Sequence, residues 1–356
     1  MSANQPVQDI HQVVAELAER GARFALAVVL STEGSAPCAM GAKAVIEPGG
    51  AIRGTIGGGA VEAEAQRRAV EAIATGRAVV FDFPLLGSAV GEGSPICGGM
   101  MRILLDPTAA RHRAAYAAAA AARRSRERGV LLTRIRGVNR PTIAVKFLSE
   151  DAIPRERALP GVEVLLSDLE EDRTALYRYG AQGDPTILVE ALLPRPVLLI
   201  VGGGHVGQAV AVQGDLAGFE VVVVDDRPEF TRPELFPAGA ATRCGRVGEE
   251  VARFPFAADT YVVIVTRGHQ HDAEALTACL RRPAAYVGMI GSRRKVALMR
   301  EDFVKSGRAT AAEFDRIYAP IGLDIGATTV PEIAASIVAQ LIAVRRTGRA
   351  PRMPVA

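Results

Sequence analysis

Cysteine is scarce in this chain and widely scattered: Cys38, Cys97, Cys244 and Cys279 in 356 residues, with no CxxC pair among them. That spacing argues against a zinc site or a disulfide framework and points to a reducing compartment. Long apolar runs are also missing. The longest, such as Val197 to Val201, fall far short of the ~20 residues a bilayer span requires. The first residues, Met1 to Asp9, are polar and lead into no apolar segment, so no secretory signal is expected and a cytoplasmic protein without membrane contact is. Nor is there a large excess of one charge. The formal net charge is +3 and the isoelectric point about 8.8. No stripe of Lys and Arg interleaves with aromatics, which speaks against a nucleic-acid partner. The densest basic stretch, Arg123, Arg124, Arg126 and Arg128, continues an alanine-rich helical run and reads as a solvated face.

What is present is ordinary globular material: 49% apolar and 23% charged residues, enough for two sizeable cores. At about 150 residues per domain the length suggests two domains. Leu193-Pro194-Arg195-Pro196 is the expected linker, because two prolines forbid regular structure there. The domains are therefore placed at 1–193 and 197–356. In the first, Ile10 to Glu19 has helical spacing, and Phe24 to Leu30, Lys43 to Glu47 and Ala51 to Ile56 read as strands. A helix from Ala60 follows, then strands Val79 to Phe83 and Met101 to Leu105. A long helix opens at Pro107. Val130 to Arg134, Ile143 to Phe147, Val162 to Leu166 and Ile187 to Leu192 read as further strands whose order is undetermined. Beyond the linker, apolar strands alternate with helices: Val197 to Val201, a helix from Gly204, Val221 to Asp225, Ala240 to Arg243, Tyr261 to Thr266, a helix from Asp272, Ala285 to Ile290. The expected fold is α/β, an α+β domain followed by a Rossmann-type doubly wound parallel sheet.

Two glycine-rich loops carry the candidate chemistry. Gly202, Gly204 and Gly207 fit G-x-G-x-x-G between an apolar strand and a helix, and Asp225 ends the next strand at about the ~20-residue offset of a dinucleotide fingerprint. Gly202 permits the tight turn, Gly204 the approach of a pyrophosphate, and Gly207 helix-on-strand packing. The helix start supplies unpaired N–H groups. Asp225 would take ribose hydroxyls and favour NAD, with Arg227 beside it. The alternative is a glycine turn that binds nothing. The second loop, Gly57-Gly58-Gly59, also lies between strand and helix but has no acidic strand end after it. It reads either as an anion cradle aimed by the helix dipole or as a tight turn. Glu62, in that helix's first turn, either favours the dipole or hydrogen-bonds the N–H groups of a heterocycle.

Several segments together resemble the XdhC/CoxI family of molybdenum-cofactor maturation proteins. In the N-terminal half they are Gly34-Ser35-Ala36-Pro37 with Gly41-Ala42-Lys43, Gly54-Thr55-Ile56-Gly57-Gly58-Gly59 through Glu62, and Cys97-Gly98-Gly99. In the C-terminal half they are the Gly202 to Gly207 fingerprint, Asp225-Asp226-Arg227-Pro228, the stretch from Tyr286 to Lys295, and Ala319 to Gly326. The chain departs from the family at Cys38, where Arg is common, at Ala44, where Met is, and at Ala60, where Cys is frequent. The resemblance implies an accessory protein rather than an enzyme. Such a chaperone binds the molybdenum cofactor, molybdopterin, during sulfuration by a cysteine desulfurase and passes it to the apo-enzyme of a xanthine dehydrogenase-type hydroxylase. Gly34, Ser35, Pro37, Lys43, Gly57, Gly58, Gly59, Glu62, Cys97, Gly98 and Gly99 would then line the cofactor. Gly202, Gly204, Gly207 and Asp225 would serve a nucleotide, NAD or NADP. A Cys97 thiolate is a soft ligand for molybdenum; an isolated cysteine is otherwise a small buried apolar residue. A homodimer is left open.

Three further groups are noted. His269-Gln270-His271-Asp272 follows a strand end and reads as a helix start capped by Asp272, or else as a divalent-metal site. Ser292, Arg293, Arg294 and Lys295 open a helix and suit either a phosphate or solvent. Asp324 lies in a glycine-flanked turn. Two rival functions stand beside the cofactor chaperone. One is an NAD(P)-dependent oxidoreductase with His269 or His271 as proton relay; the other is a scaffold that nucleotide binding merely orders.

Overall fold

In the computed structural model, which describes residues 9–85, 99–137, 139–157, 159–180 and 184–351, the chain divides into two units, Met1–Pro194 and Arg195–Ala356. The first unit opens with α1 (Ile10–Glu19), capped by the Asp9 carboxylate, which accepts from His11 N at 3.0 Å. Strands β1 (Ala25–Glu33), β2 (Lys43–Ile46) and β3 (Ile52–Gly54) follow, then α2 (Gly59–Thr75), β4 (Val79–Leu85) and β5 (Gly99–Asp106). They form an antiparallel sheet in the order β3-β2-β1-β5-β4. A register shift between Val29 and Ser31 interrupts the β1–β5 ladder just before the Gly34 loop. Next come α3 (Arg113–Arg124), β6 (Gly129–Arg136), β7 (Thr142–Ser149), α4 (Val162–Glu170), β8 (Thr174–Arg178) and β9 (Thr186–Leu192). These four strands make a second antiparallel sheet, β7-β6-β9-β8.

Period-2 alternation explains the layering. Leu26, Val28 and Leu30 of β1 share one core with Leu131 and Ile135 of β6, Leu188 of β9, and the inner faces of α1 and α3. The residues between them, Ala25, Ala27 and Val29, pack with Ala44 and Ile46 against Val61, Ala65 and Ile73 of α2. On the far side of the second sheet, Val130, Leu132 and Val189 meet Leu165 and Leu169 of α4.

Two sequence expectations are corrected here. Val162 to Leu166 is the start of a helix, not a strand: Gly161 caps it, and the inward set Val162, Leu165, Leu169 follows the helical period. A short apolar run does not by itself separate the two periods. The alanine-rich helix expected from Pro107 forms as α3 but starts later, at Arg113, after a 3-10 turn over Ala109–His112.

The second unit is a parallel sheet. Its strands β10 (Val197–Val201), β11 (Glu220–Asp225), β12 (Ala241–Cys244), β13 (Thr260–Ile264) and β14 (Tyr286–Met289) lie in the order β12-β11-β10-β13-β14. Helices α5 (His205–Leu216), α6 (Val247–Ala252), α7 (His269–Cys279), α8 (Arg293–Lys305), α9 (Ala311–Phe314) and α10 (Val330–Thr347) complete it. The central strand β10 is buried along its whole length, as a sheet covered on both faces requires. One core holds Val222, Val262 and Leu276; the other holds Val210, Val223 and Leu341. Tyr318 bridges alongside β14, and buried Gln340 fixes the next turn by accepting from Gly322 N at 2.9 Å and from Tyr286 Oη at 2.6 Å. The chain is thus α+β followed by a Rossmann-type sheet. No helix among the described residues is long and apolar enough to cross a membrane.

Candidate functional site

In the N-terminal unit three distant segments converge beside the start of α2. Gly57 has φ +120°, and a Cβ there would lie 2.5 Å from Pro37 Cγ and 3.6 Å from Cys38 Sγ. Gly99 opens β5 so close to the other loop that a Cβ would lie 2.6 Å from the Glu33 carbonyl oxygen and 2.7 Å from that of Ser35. Gly34 faces Gly99 in the same way. These glycines are thus required for packing. Gly58 and Gly59 differ: both have positive φ, yet nothing lies within 4 Å of a Cβ at either. Here is the open side of the loop, at the N-terminus of a 17-residue helix with no side-chain cap. Its first-turn amides lack intrahelical acceptors and carry the positive end of the dipole. Ser35 is exposed at the same loop. Cys97 and Gly98 lie outside the described residues.

Glu62 turns inward on this loop. Its carboxylate accepts from Thr55 Oγ1 at 2.6 Å and Ile56 N at 3.1 Å. Burial pushes its pKa up, but Thr55 and the amides of Ile56 and Gly58 outweigh that and hold it below the ordinary value. Glu62 therefore stiffens the cradle from below. Cys38 is half-buried; burial and then the Glu62 carboxylate raise its thiol, which keeps it protonated at neutral pH and a poor soft ligand. Lys43 is not brought to the cradle. Alternation along β2 puts it on the side of Val45, facing the second sheet, whereas Ala44 and Ile46 face α2. Its side chain is 3% exposed, and its ammonium is ion-paired with Glu190 of β9 and donates to the Gly41 carbonyl at 3.1 Å.

In the C-terminal unit the direction of strand succession reverses between β10 and β13, which places a crevice at their carboxyl ends. Gly202 has φ +115° and abuts Val265 O; a Cβ on Gly203 would meet the Phe230 carbonyl, and one on Gly207 the Gly202 carbonyl. Gly204 alone of the four faces open space, at an N-terminus of α5 that no side chain caps. The glycine geometry thus fits a dinucleotide pyrophosphate. The acid does not. Asp225 is 2% exposed and accepts from Gly203 N (2.8 Å) and from Arg227 N, Nε and Nη2 (3.0, 2.9 and 3.0 Å). Burial pushes its pKa up, but these bonds win and lower it. The expected ribose acceptor is engaged within the protein.

Across the crevice, α7 begins at His269 with Gly268 as its N-cap, so Asp272 is not the cap. It lies in the first turn, fully buried, ion-paired with Lys295 and accepting from Thr266 Oγ1 at 2.6 Å. His269 is exposed, and His271 Nε2 lies 3.9 Å from Asp226 Oδ2. Among the described residues no group of three or more His, Cys, Asp or Glu is placed to hold a metal ion. Ser292 caps α8, Arg293 and Arg294 are exposed beside it, and Asp324 is exposed.

Residues 17–84 match a family profile described as the XdhC and CoxI family, and residues 198–341 match the XdhC Rossmann domain. The chain belongs to the XdhC and CoxI family. An Escherichia coli (strain K12) protein described as uncharacterized protein YqeB is 32% identical over 197 residues, 52% of this chain and 36% of its own length. A Bacillus subtilis (strain 168) protein described as a probable xanthine dehydrogenase subunit is 26% identical over 181 residues, 51% of this chain and 52% of its own length. The alignments thus span about a third of one curated relative and about half of the other. A crystal structure described as a xanthine dehydrogenase from Bacillus halodurans superposes with a TM-score of 0.72 at 21% identity, covering 98% of both chains. That likeness supports the fold alone. In this XdhC/CoxI chain, sequence reasoning missed Glu190 as the partner of Lys43 and Thr55 as the partner of Glu62, and it noted Arg227 beside Asp225 without pairing the two. Glu190 carried a signal, a lone acid inside the apolar strand Thr186–Leu192.

Proposed function

We propose that this chain holds the molybdenum cofactor for a xanthine dehydrogenase-type hydroxylase and acts as an accessory protein in that enzyme's maturation. The observation that carries the reading is the convergence of residues 34–37, residues 57–59 and Gly99 on an uncapped helix start with open space at Gly58 and Gly59. The first-turn amides after Gly58, whose own N–H is taken by Glu62, suit the terminal phosphate of a pterin. The cofactor, when bound, supplies the metal already chelated by its dithiolene, so the protein needs few metal ligands of its own. Ser35 stands beside the phosphate position as a hydroxyl donor, and Glu62 keeps the loop open by tying down Thr55 and Ile56. Cys97 is proposed as the sulfur that touches the metal. Membership of the XdhC and CoxI family supports the reading, as does the name of the Bacillus subtilis relative. The apo-hydroxylase and a cysteine desulfurase are the partners proposed with it.

The test is purification from cells that make the cofactor, followed by assay of pterin and molybdenum. Wild-type protein should carry both in near-stoichiometric amount. Gly58 is a poor site for a blocking variant, because its φ of +75° strains any side chain. Ala60, exposed in the first turn of α2, is a better one. Ala60→Phe should lose the pterin with unchanged thermal unfolding, and Cys97→Ser should lose molybdenum while keeping the pterin. Wild-type protein free of pterin, or full retention by Ala60→Phe, refutes the site.

A further inference from the structure

The crevice of the C-terminal unit carries a feature at odds with NAD. A carboxylate offers about four lone-pair sites. On Asp225 four donors already fill them: two of the Arg227 guanidinium, the Arg227 amide and the Gly203 amide. NAD recognition in a Rossmann sheet relies on this acid to take the hydroxyls of the adenosine ribose. Here a ribose hydroxyl finds no vacant acceptor unless Arg227 leaves. The arginine is held in place, since its guanidinium also stacks on Phe230, 3.8 Å from the ring centroid. Phe230 is fixed in turn by its carbonyl against Gly203.

The same arrangement presents an open guanidinium edge where the diol would otherwise be read. Nε and Nη2 of Arg227 serve Asp225, and Nε also lies 3.9 Å from Asp226 Oδ1, while Nη1 makes no hydrogen bond to the described residues. A guanidinium with one donor edge unoccupied, rigidly placed at the end of the second strand, is the chemistry that receives a phosphate on the ribose 2′ oxygen. A second guanidinium is at hand. Arg267, in the loop after β13, reaches Asp226, just past β11, at 2.8 Å. Because β10 lies between those strands, this pair crosses the carboxyl end of β10. Arg267 is half exposed, so the pair is weak and readily exchanged for a ligand anion.

We propose that the C-terminal unit takes an adenine nucleotide bearing a 2′-phosphate in preference to NAD, with Arg227 as the residue that sets the preference. The inference is independent of the cofactor reading of the N-terminal unit, and its test involves no molybdenum. The full chain is titrated with NADPH and with NADH, following nicotinamide fluorescence. NADPH should bind at least about tenfold more tightly. Arg227→Met should bring the two within about twofold of each other, and Arg227→Lys should retain part of the preference. Should Arg227→Met fail to fold, calorimetry of wild-type protein with 2′,5′-ADP against 5′-ADP asks the same question, and 2′,5′-ADP should win. NADH binding as tight as NADPH, or no binding of either at millimolar concentration, overturns the proposal. So does 5′-ADP equal to 2′,5′-ADP.

Discussion

Asp106 shows what a single buried carboxylate costs in this fold. It ends β5 at 1% exposure, and its Oδ1 accepts from Thr108 N at 2.8 Å and Thr108 Oγ1 at 2.6 Å. Oδ2 has no partner among the described residues. Burial raises its pKa; the Thr108 bonds and the charges of His112 and Arg111 offset this only in part. A folded pKa above the unfolded value of about 3.8 favours the protonated form in the native state. The stabilisation is therefore complete below the unfolded pKa and is lost as pH rises through the folded one. At neutral pH the ionised Oδ2 is a penalty. Asp106→Asn keeps the Thr108 bonds and removes the charge, so it should raise stability at pH 7 by about 1 kcal/mol, with the gain vanishing toward pH 3.5. Denaturant melts at the two pH values decide the matter. A wild type more stable than the variant at pH 7 sinks this account.

At the scale of the element, the start of α5 separates two duties that one glycine motif conceals. A Cβ on Gly207 would fall on the Gly202 carbonyl, with Ile200 Cγ2 behind it at 3.3 Å, so the helix would have to lift from β10. Gly207→Ala should cost roughly 3 kcal/mol. Gly204 has φ −68° and ψ −172°, which any residue adopts, and faces open space. Gly204→Ala should change stability by under about 1 kcal/mol, because the gain from a stiffer unfolded chain is offset by the loss of a favoured N-cap residue. It should also weaken 2′,5′-ADP binding by crowding the phosphate. Thermal melts paired with titrations test both, and a stability loss at Gly204 as large as that at Gly207 contradicts the division.

The glycine roles of this motif were legible in sequence because backbone geometry dictates them, and so were the parallel strands, as short apolar runs between helices. The filling of Asp225 by Arg227 was not. Its residues are neighbours in the chain, but a side chain's choice of partner depends on Phe230 and Gly203 folding over it. Lys43 was misplaced for a similar reason. The family resemblance grouped it with the cofactor loop, whereas strand alternation turns it toward Glu190, 147 residues away. The antiparallel sheets were harder to order than the parallel one, because nothing local names the partner of a strand.

For the whole molecule, the decisive fact is where the cores close. The three apolar clusters of the first unit draw on residues up to Leu193, and the two of the second on residues from Val197 onward. Each sheet also finds all its strands within its own unit. Pro194 and Pro196, between them, contribute no amide to either ladder. A unit with its own core and complete sheets needs no help from the rest of the chain to become stable. Residues 1–194 and 195–356, expressed separately, should therefore each unfold cooperatively, the second retaining its preference for 2′,5′-ADP over 5′-ADP. The two functions proposed for the chain then reside in separable bodies, and loss of pterin from Ala60→Phe should leave nucleotide titration unchanged. A C-terminal fragment that is soluble yet lacks a cooperative transition would show that its sheet depends on the first unit, and the independence of the two sites would fall with it.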